Sequence, residues 1–365
     1  MISMAKPIIE QDEIDAVVEV MQSGMIACGE VVSEFEQKFA NYIGMDYGVA
    51  TTSGTTALDL AMKSLGIGEG DRVITTPFTF IASSNSILYQ KATPVFVDID
   101  PKTYLLDPQK LEEYLQNSYD PSIKAIVVVH LYGLSCDMPK IMQIAKKYNI
   151  TVIEDCAQSH GAAIDGKKSG SFADVSCFSF YPTKNMTTSE GGMVLYKDKN
   201  LYDLAKKLIN HGRVDQYLHD VLGYNYRMTN IAAAIGLAQL TKVDTFNAKR
   251  VENAKVYDEL FSGVEGVITP YVADGFYHVY HQYTINVGSK RDQLQEYLKN
   301  KQIGSAIVYP FSMQQQPFYK GVCEYSNLDI ATQTAKEVLS IPVHPSLTQD
   351  DVQTVADAVI DFIKG

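Results

Sequence analysis

Asp174-Val175-Ser176-Cys177-Phe178-Ser179-Phe180-Tyr181-Pro182-Thr183-Lys184-Asn185 reads as an apolar, aromatic strand that leaves a core and breaks into a polar loop carrying one lysine. Short apolar runs of the same kind recur on both sides of it: Arg72 to Thr76, Pro94 to Asp98, Ala125 to Leu131, Thr151 to Glu154 and Met193 to Tyr196. Amphipathic stretches alternate with them, at Gln11 to Ser23, Val31 to Tyr42 and Ala57 to Ser64. Ile126-Val127-Val128-Val129 is apolar at successive positions, the pattern of a strand covered by helices on both faces. The order predicts an α/β protein with a buried, mostly parallel sheet. Beyond about Thr241 a long charged helix, Lys242 to Phe261, leads through Gly263, Gly266 and Pro270 into a smaller mixed unit. Two domains are expected, residues 1–244 and 245–365, with the boundary good to about ten residues.

In an open parallel sheet a ligand lies at the carboxyl ends of the strands, and the chemically distinctive residues fall there. Lys184 follows Ser179 by five positions and Asp155 by twenty-nine. An amine, a carboxylate and a small hydroxyl are what a pyridoxal phosphate site requires: one forms a Schiff base with the aldehyde, one keeps the pyridine nitrogen protonated, one holds the phosphate. Asp155, at the end of its strand, serves equally well as a turn or cap aspartate. Ser53-Gly54-Thr55 precedes a helix, where hydroxyls and free amides cradle a phosphate at the positive end of the dipole; an ordinary helix cap uses the same residues. Phe80 is placed to stack on a flat ring or to fill a core. Cys156 and His160 beside Asp155 make a weak metal set, and no metal is expected. His160 is read instead as an auxiliary catalytic residue that orients a neighbour by hydrogen bonding.

Composition narrows the function classes. The chain has 365 residues, 46% of them hydrophobic, and a net charge of -12 without a basic stripe, so no nucleic-acid partner is expected. No apolar run reaches the ~20 residues of a membrane span, and the N-terminus lacks a signal-peptide core, which predicts a cytoplasmic protein. Five cysteines without a Cys-x-x-Cys pair fit reduced thiols.

Taken together, the chain resembles the DegT/DnrJ/StrS family of nucleotide-sugar aminotransferases over nearly its whole length. The matching pieces are Ser53-Gly54-Thr55, Pro77 to Ala82, Glu154-Asp155-Cys156-Ala157-Gln158-Ser159-His160-Gly161, Phe178-Ser179-Phe180 leading to Lys184-Asn185, Glu190-Gly191-Gly192, Gly223 to Met228, and Ile341-Pro342-Val343-His344-Pro345. The resemblance implies the type I fold of pyridoxal phosphate (PLP) dependent transferases, a large domain with a mostly parallel seven-stranded sheet flanked by helices plus a smaller C-terminal α+β domain. It implies a homodimer with shared sites. Lys184 would form the Schiff base and Asp155 would pair with the pyridine nitrogen. Phe80 would lie on the ring and Gln158 near its phenolic oxygen. Ser53, Gly54, Thr55 and Ser179 would bind the phosphate, joined by Asn225 from the other subunit, although Asn225 reads equally as a turn residue after Gly223.

Glutamate is then the expected amino donor and a nucleotide-linked keto sugar the acceptor. Lys184-Asn185-Met186-Thr187-Thr188 looks like members that aminate C4, with C3 amination as the alternative. A family feature is missing: Tyr309-Pro310-Phe311-Ser312-Met313 carries no histidine after its Tyr-Pro pair. A sugar dehydratase of the same fold would lack the lysine, a desulfurase would need a reactive exposed cysteine, and an amino-acid transaminase would want a C-terminal arginine, for which Arg291 is the candidate. A non-catalytic binding protein is the remaining alternative. Tyr271, Tyr277, His278, Tyr280 and His281 line a sugar-nucleotide site or simply face solvent from strands.

Overall fold

A computed structural model describes residues 1–365. Its main sheet has eight strands in the order β1-β9-β8-β5-β4-β2-β3-β12. These are β1 (Tyr47–Thr51), β2 (Arg72–Thr75), β3 (Thr93–Phe96), β4 (Ile123–Val129), β5 (Thr151–Asp155), β8 (Val175–Ser179), β9 (Gly192–Tyr196) and β12 (Glu324–Tyr325). Only β9 runs against its neighbours, so the expected parallel α/β sheet is present. It exceeds the expected seven strands because the two-residue β12, from the C-terminal part, joins β3 in parallel. β6 (Ala163–Ile164), β7 (Lys167–Lys168) and β10 (Phe276–Tyr277) form a small ribbon, and β11 (Tyr283–Asn286) pairs with β13 (Val338–Ile341).

The apolar runs have a direct explanation. Val73, Val127 and Ile153 pack into one core while Ile74, Ile126, Val128 and Val152 pack into another, because successive strand side chains point to opposite faces. Both faces are therefore covered and both need hydrophobic residues. Besides the two-residue β12, the main-sheet strand missing from the sequence reading is β1, Tyr-Gly-Val-Ala-Thr, whose Gly and Ala carry little strand propensity. Packing sets it instead: a Cβ on Gly48 would fall 2.7 Å from the Glu36 carbonyl oxygen, and the Glu36 carboxylate accepts the Ala50 N–H at 2.8 Å.

The helix Val243–Phe261 spans the expected domain boundary. Val243 sits in the core beneath β9, while Ala254, Tyr257 and Phe261 belong to the C-terminal core. The first residues, grouped by sequence with the large unit, run onto the C-terminal one: Ile2 pairs with Ile303 and His344 Nε2 meets the Ser3 carbonyl at 3.1 Å.

Under the ligand end of the sheet lies a buried polar knot. Glu154 accepts hydrogen bonds from the amides of Gly170 and Ala173 at 2.7 Å each and sits 3.0 Å from His130 Nε2. His130 Nδ1 accepts the Cys136 N–H at 3.0 Å, which leaves the proton on Nε2, donating to Glu154. This knot ties two loops to β5 beneath Asp155. Glu154→Ala strands three buried donors and is expected to cost about 3 kcal/mol in a urea titration; an unchanged midpoint would show the knot to be dispensable.

Candidate active site

A cavity of about 460 Å³ opens at the carboxyl ends of the parallel strands, within the usual range for small-molecule sites. Ser53, Gly54, Thr55, Phe80, Asp155, Gln158, Ser179 and Lys184 all line it. Residues separated by more than a hundred positions are thus brought to one place by the sheet.

Ser53 caps the helix Gly54–Ser64: its Oγ accepts the Thr56 N–H at 3.2 Å and its own N–H donates to Thr56 Oγ1 at 3.0 Å. The amides of Gly54 and Thr55 stand in the first turn, where the helix itself offers no acceptors. A Cβ on Gly54 would fall 2.6 Å from Ser179 Cβ, so the glycine lets the helix start close on β8 and puts both hydroxyl groups beside the same amides. That cradle fits a phosphate dianion.

Asp155 ends β5 with its carboxylate buried. Ser83 Oγ donates to it at 2.8 Å and the Ala157 N–H at 3.1 Å. Burial raises its pKa, against the opposing pull of those two donors and of the Lys184 charge. Lys184 follows β8 on a loop held by its neighbour: Asn185 Nδ2 donates to Asn247 Oδ1 at 2.7 Å and to the Val279 carbonyl at 3.1 Å. Burial lowers the Lys184 pKa to about 8, with Asp155 resisting the shift. A desolvated acid and a desolvated amine that favour each other's charge, beside an anion cradle, fit the pyridine nitrogen, aldehyde and phosphate of PLP.

Phe80 is 55% exposed, and Tyr309 approaches it with ring centroids 6.1 Å apart. Gln158 faces the cavity, but its Oε1 accepts the Tyr132 N–H at 2.8 Å and its Nε2 donates to the Tyr309 hydroxyl at 3.2 Å; one amide hydrogen remains for a ligand. Tyr132 Oη donates to the Val308 carbonyl. These bonds join the large unit to the Tyr309 loop.

One expected residue lies elsewhere, and Asn225, expected from the other subunit, stands outside its own chain's cavity. His160 does not face the cavity: it is buried against Phe39, Phe178 and Phe180, and neither ring nitrogen has a hydrogen-bond partner. Burial lowers its pKa to about 3, so the expected orienting bond is replaced by aromatic packing. Asn225 is exposed and bridges to Asn210, away from this cavity. Of the C-terminal aromatic and histidine candidates only His281 lines it. Sequence reading gives no site role to Ser83, Thr79, Glu190 or Tyr309, all of which line the cavity; the Thr79 and Ser83 spacing of one helical turn is the available signal.

Residues 7–360 match the DegT/DnrJ/EryC1/StrS aminotransferase family. The chain is 41% identical to a GDP-perosamine synthase of Caulobacter vibrioides, covering 98% of this chain and 97% of the relative. It is 38% identical to a UDP-N-acetyl-3-dehydro-alpha-D-glucosamine 3-aminotransferase of Acidithiobacillus ferrooxidans, covering 95% and 92%. A Streptococcus pneumoniae protein solved in its PLP form superimposes with a TM-score of 0.92 at 28% identity, over 100% of this chain and 98% of that one.

The two pKa values of Lys184 make a prediction about stability. The folded protein releases this proton near pH 8 and the unfolded chain near 10.5, so the buried charge destabilises the fold below pH 8 and the penalty fades as pH rises to 10.5. Lys184→Met is expected to stabilise the ligand-free protein at neutral pH by about 1–2 kcal/mol, discounted because the side chain is only half-buried. Denaturation across pH should show that gain vanishing by pH 10.5; a gain independent of pH would mean that packing, not charge, causes it. On its length, coverage and site geometry, this chain belongs to the DegT/DnrJ/EryC1/StrS aminotransferase family.

Proposed function

We propose that the protein binds pyridoxal phosphate and moves an amino group from L-glutamate to a nucleotide-linked keto sugar, with the 4-keto position of a 6-deoxy sugar favoured. The observation that carries this reading is the convergence of Lys184, Asp155 and the Ser53, Gly54, Thr55 and Ser179 cradle on one cavity. The bound cofactor supplies an aldehyde that captures amines and a ring that accepts the electron pair left when a carbon loses its proton.

The chain's own residues do the rest. Asp155, desolvated, would hold a proton on the ring nitrogen and be relieved of part of its burial penalty by doing so. Phe80 covers a ring face and Gln158 offers its remaining N–H near the phenolic oxygen. Lys184 would hold the aldehyde. Its Nζ, once free, would take the proton from the substrate carbon and return it, a task suited to a pKa of about 8. Phe80 and Tyr309 both line the cavity.

Competing chemistries find less support. No cysteine lines the cavity, which disfavours a desulfurase. Arg291 is buried and donates to the carbonyls of Ala335 and Val338, so it is not a carboxylate clamp for an amino-acid transaminase. The two curated relatives carry names of different sugar substrates, and one name specifies a 3-amino product; the Met186-Thr187-Thr188 segment after Lys184-Asn185 is the reason to favour C4.

A shared site in a cytoplasmic homodimer is part of the proposal. Lys184 is the only cation lining the cavity, too little for a cofactor phosphate and a sugar diphosphate together. Tyr217 and Leu222 are 84% and 81% exposed on the segment that carries Asn225, as expected of residues awaiting a partner. Asn225 of the partner subunit would then complete the phosphate cradle.

Borohydride reduction of the yellow protein should place the pyridoxyl tag on Lys184, and glutamate should bleach the colour with release of a keto acid. A tag elsewhere removes the reading. Turnover of 3-keto but not 4-keto nucleotide sugars, read by NMR of the product, overturns the regiochemistry alone. Sharing is tested by mixing variants at limiting cofactor: Asn225→Ala should weaken cofactor binding about tenfold or more, and its mixture with Lys184→Ala should exceed the activity of either alone, since each mixed dimer has one complete site. No gain on mixing would confine the site to one subunit.

A further inference from the structure

Lys184 and Thr183 also line a second, smaller cavity of about 20 Å³, bounded by the N-terminal segment at Lys6 and Ile8, by Gln239 and by Arg250. Its charged lining residues are Lys6, Lys184 and Arg250, with no carboxylate among them. Arg250 is 6% exposed. Its Nη1 donates to the carbonyls of Tyr280 and His281 at 3.2 and 3.3 Å, and its Nε has no partner. Burial lowers its pKa to about 10, and no acidic group opposes the shift.

The neutral amides around the cavity are already committed. Asn185 Nδ2 bonds Asn247 and Val279, and Gln239 Nε2 bonds the Ile8 carbonyl at 2.9 Å and Glu13 at 2.8 Å. Among the lining side chains Arg250 Nε is buried without a partner, and every charged group is cationic. A buried guanidinium without a counter-charge is costly, and a water molecule satisfies its hydrogen bond without answering its charge. We propose that this cavity binds a small monovalent inorganic anion of the halide class, held by Arg250 and Lys6 behind the reactive lysine.

Size selects the ligand. Space of about 20 Å³ admits something water-sized, which suits a small anion better than a phosphate or a carboxylate with its chain. An anion there also favours the charged form of Lys184, so salt composition enters the electrostatics of the main cavity. The site stands independently of the cofactor and substrate proposed above.

The test compares melting of the full chain in potassium chloride and potassium gluconate at equal ionic strength, together with crystals grown in bromide. A saturable rise in Tm with chloride only, and an anomalous bromide peak against Arg250, are expected. Arg250→Gln should abolish the chloride dependence. Should that variant fail to fold, Lys6→Met, at an exposed position, should weaken apparent chloride affinity about threefold. Identical melting in both salts, or bromide density confined to the outer surface, means that water alone fills the cavity and overturns the proposal.

Discussion

The site depends on two opposite charges taken out of water together. Asp155 at the end of β5 and Lys184 in the loop after β8 each make the other's charge less costly, while burial pushes each toward its neutral form. Neither is left in its ordinary state, and a ligand that brings both a protonated ring nitrogen and an electrophile resolves the tension at both ends. Adjacent parallel strands hold this pair apart: β5 and β8 are neighbours, their ends lie side by side, and the helix from Gly54 can close on Ser179 only because position 54 has no side chain. The sheet therefore supplies the geometry and its burial supplies the electrostatics.

Much of this was legible in the sequence because the decisive residues sit directly after strong strands. Lys184, Asp155 and Ser179 each follow or end an apolar run, and the cradle at Ser53 carries a capping signature. What the sequence hid was non-local. β1 carries weak propensity and is set by the helix Glu30–Ile43 packing on Gly48. Ser83 becomes a partner of Asp155 only when a helix beside β2 and β3 packs near β5, and no local pattern announces that pairing. His160 misled in the opposite direction. Its polar neighbours in the chain suggested chemistry, while Phe39, Phe178 and Phe180, from other elements, enclose it.

The C-terminal half acts on the site through few, specific bonds. Tyr309 enters the cavity, is held by Gln158, and its preceding residue is held by Tyr132. The loop that lacks the family's histidine is thus anchored by a tyrosine pair, which gives this chain its own wall where the sugar is proposed to lie. The aromatic and histidine cluster farther along is mostly internal: His278 stacks on Tyr280 at 3.9 Å between centroids, so composition alone overstated its availability to a ligand.

The helix Val243–Phe261 contributes side chains to the cores of both halves, and the N-terminal strap crosses in the other direction to Ile303. A chain laced twice in this way cannot melt one half while leaving the other intact, because losing either core strips the shared helix of its packing. Cooperativity then becomes a property of the whole polypeptide, and a calorimetric scan should resolve one heat-absorption peak rather than separate events.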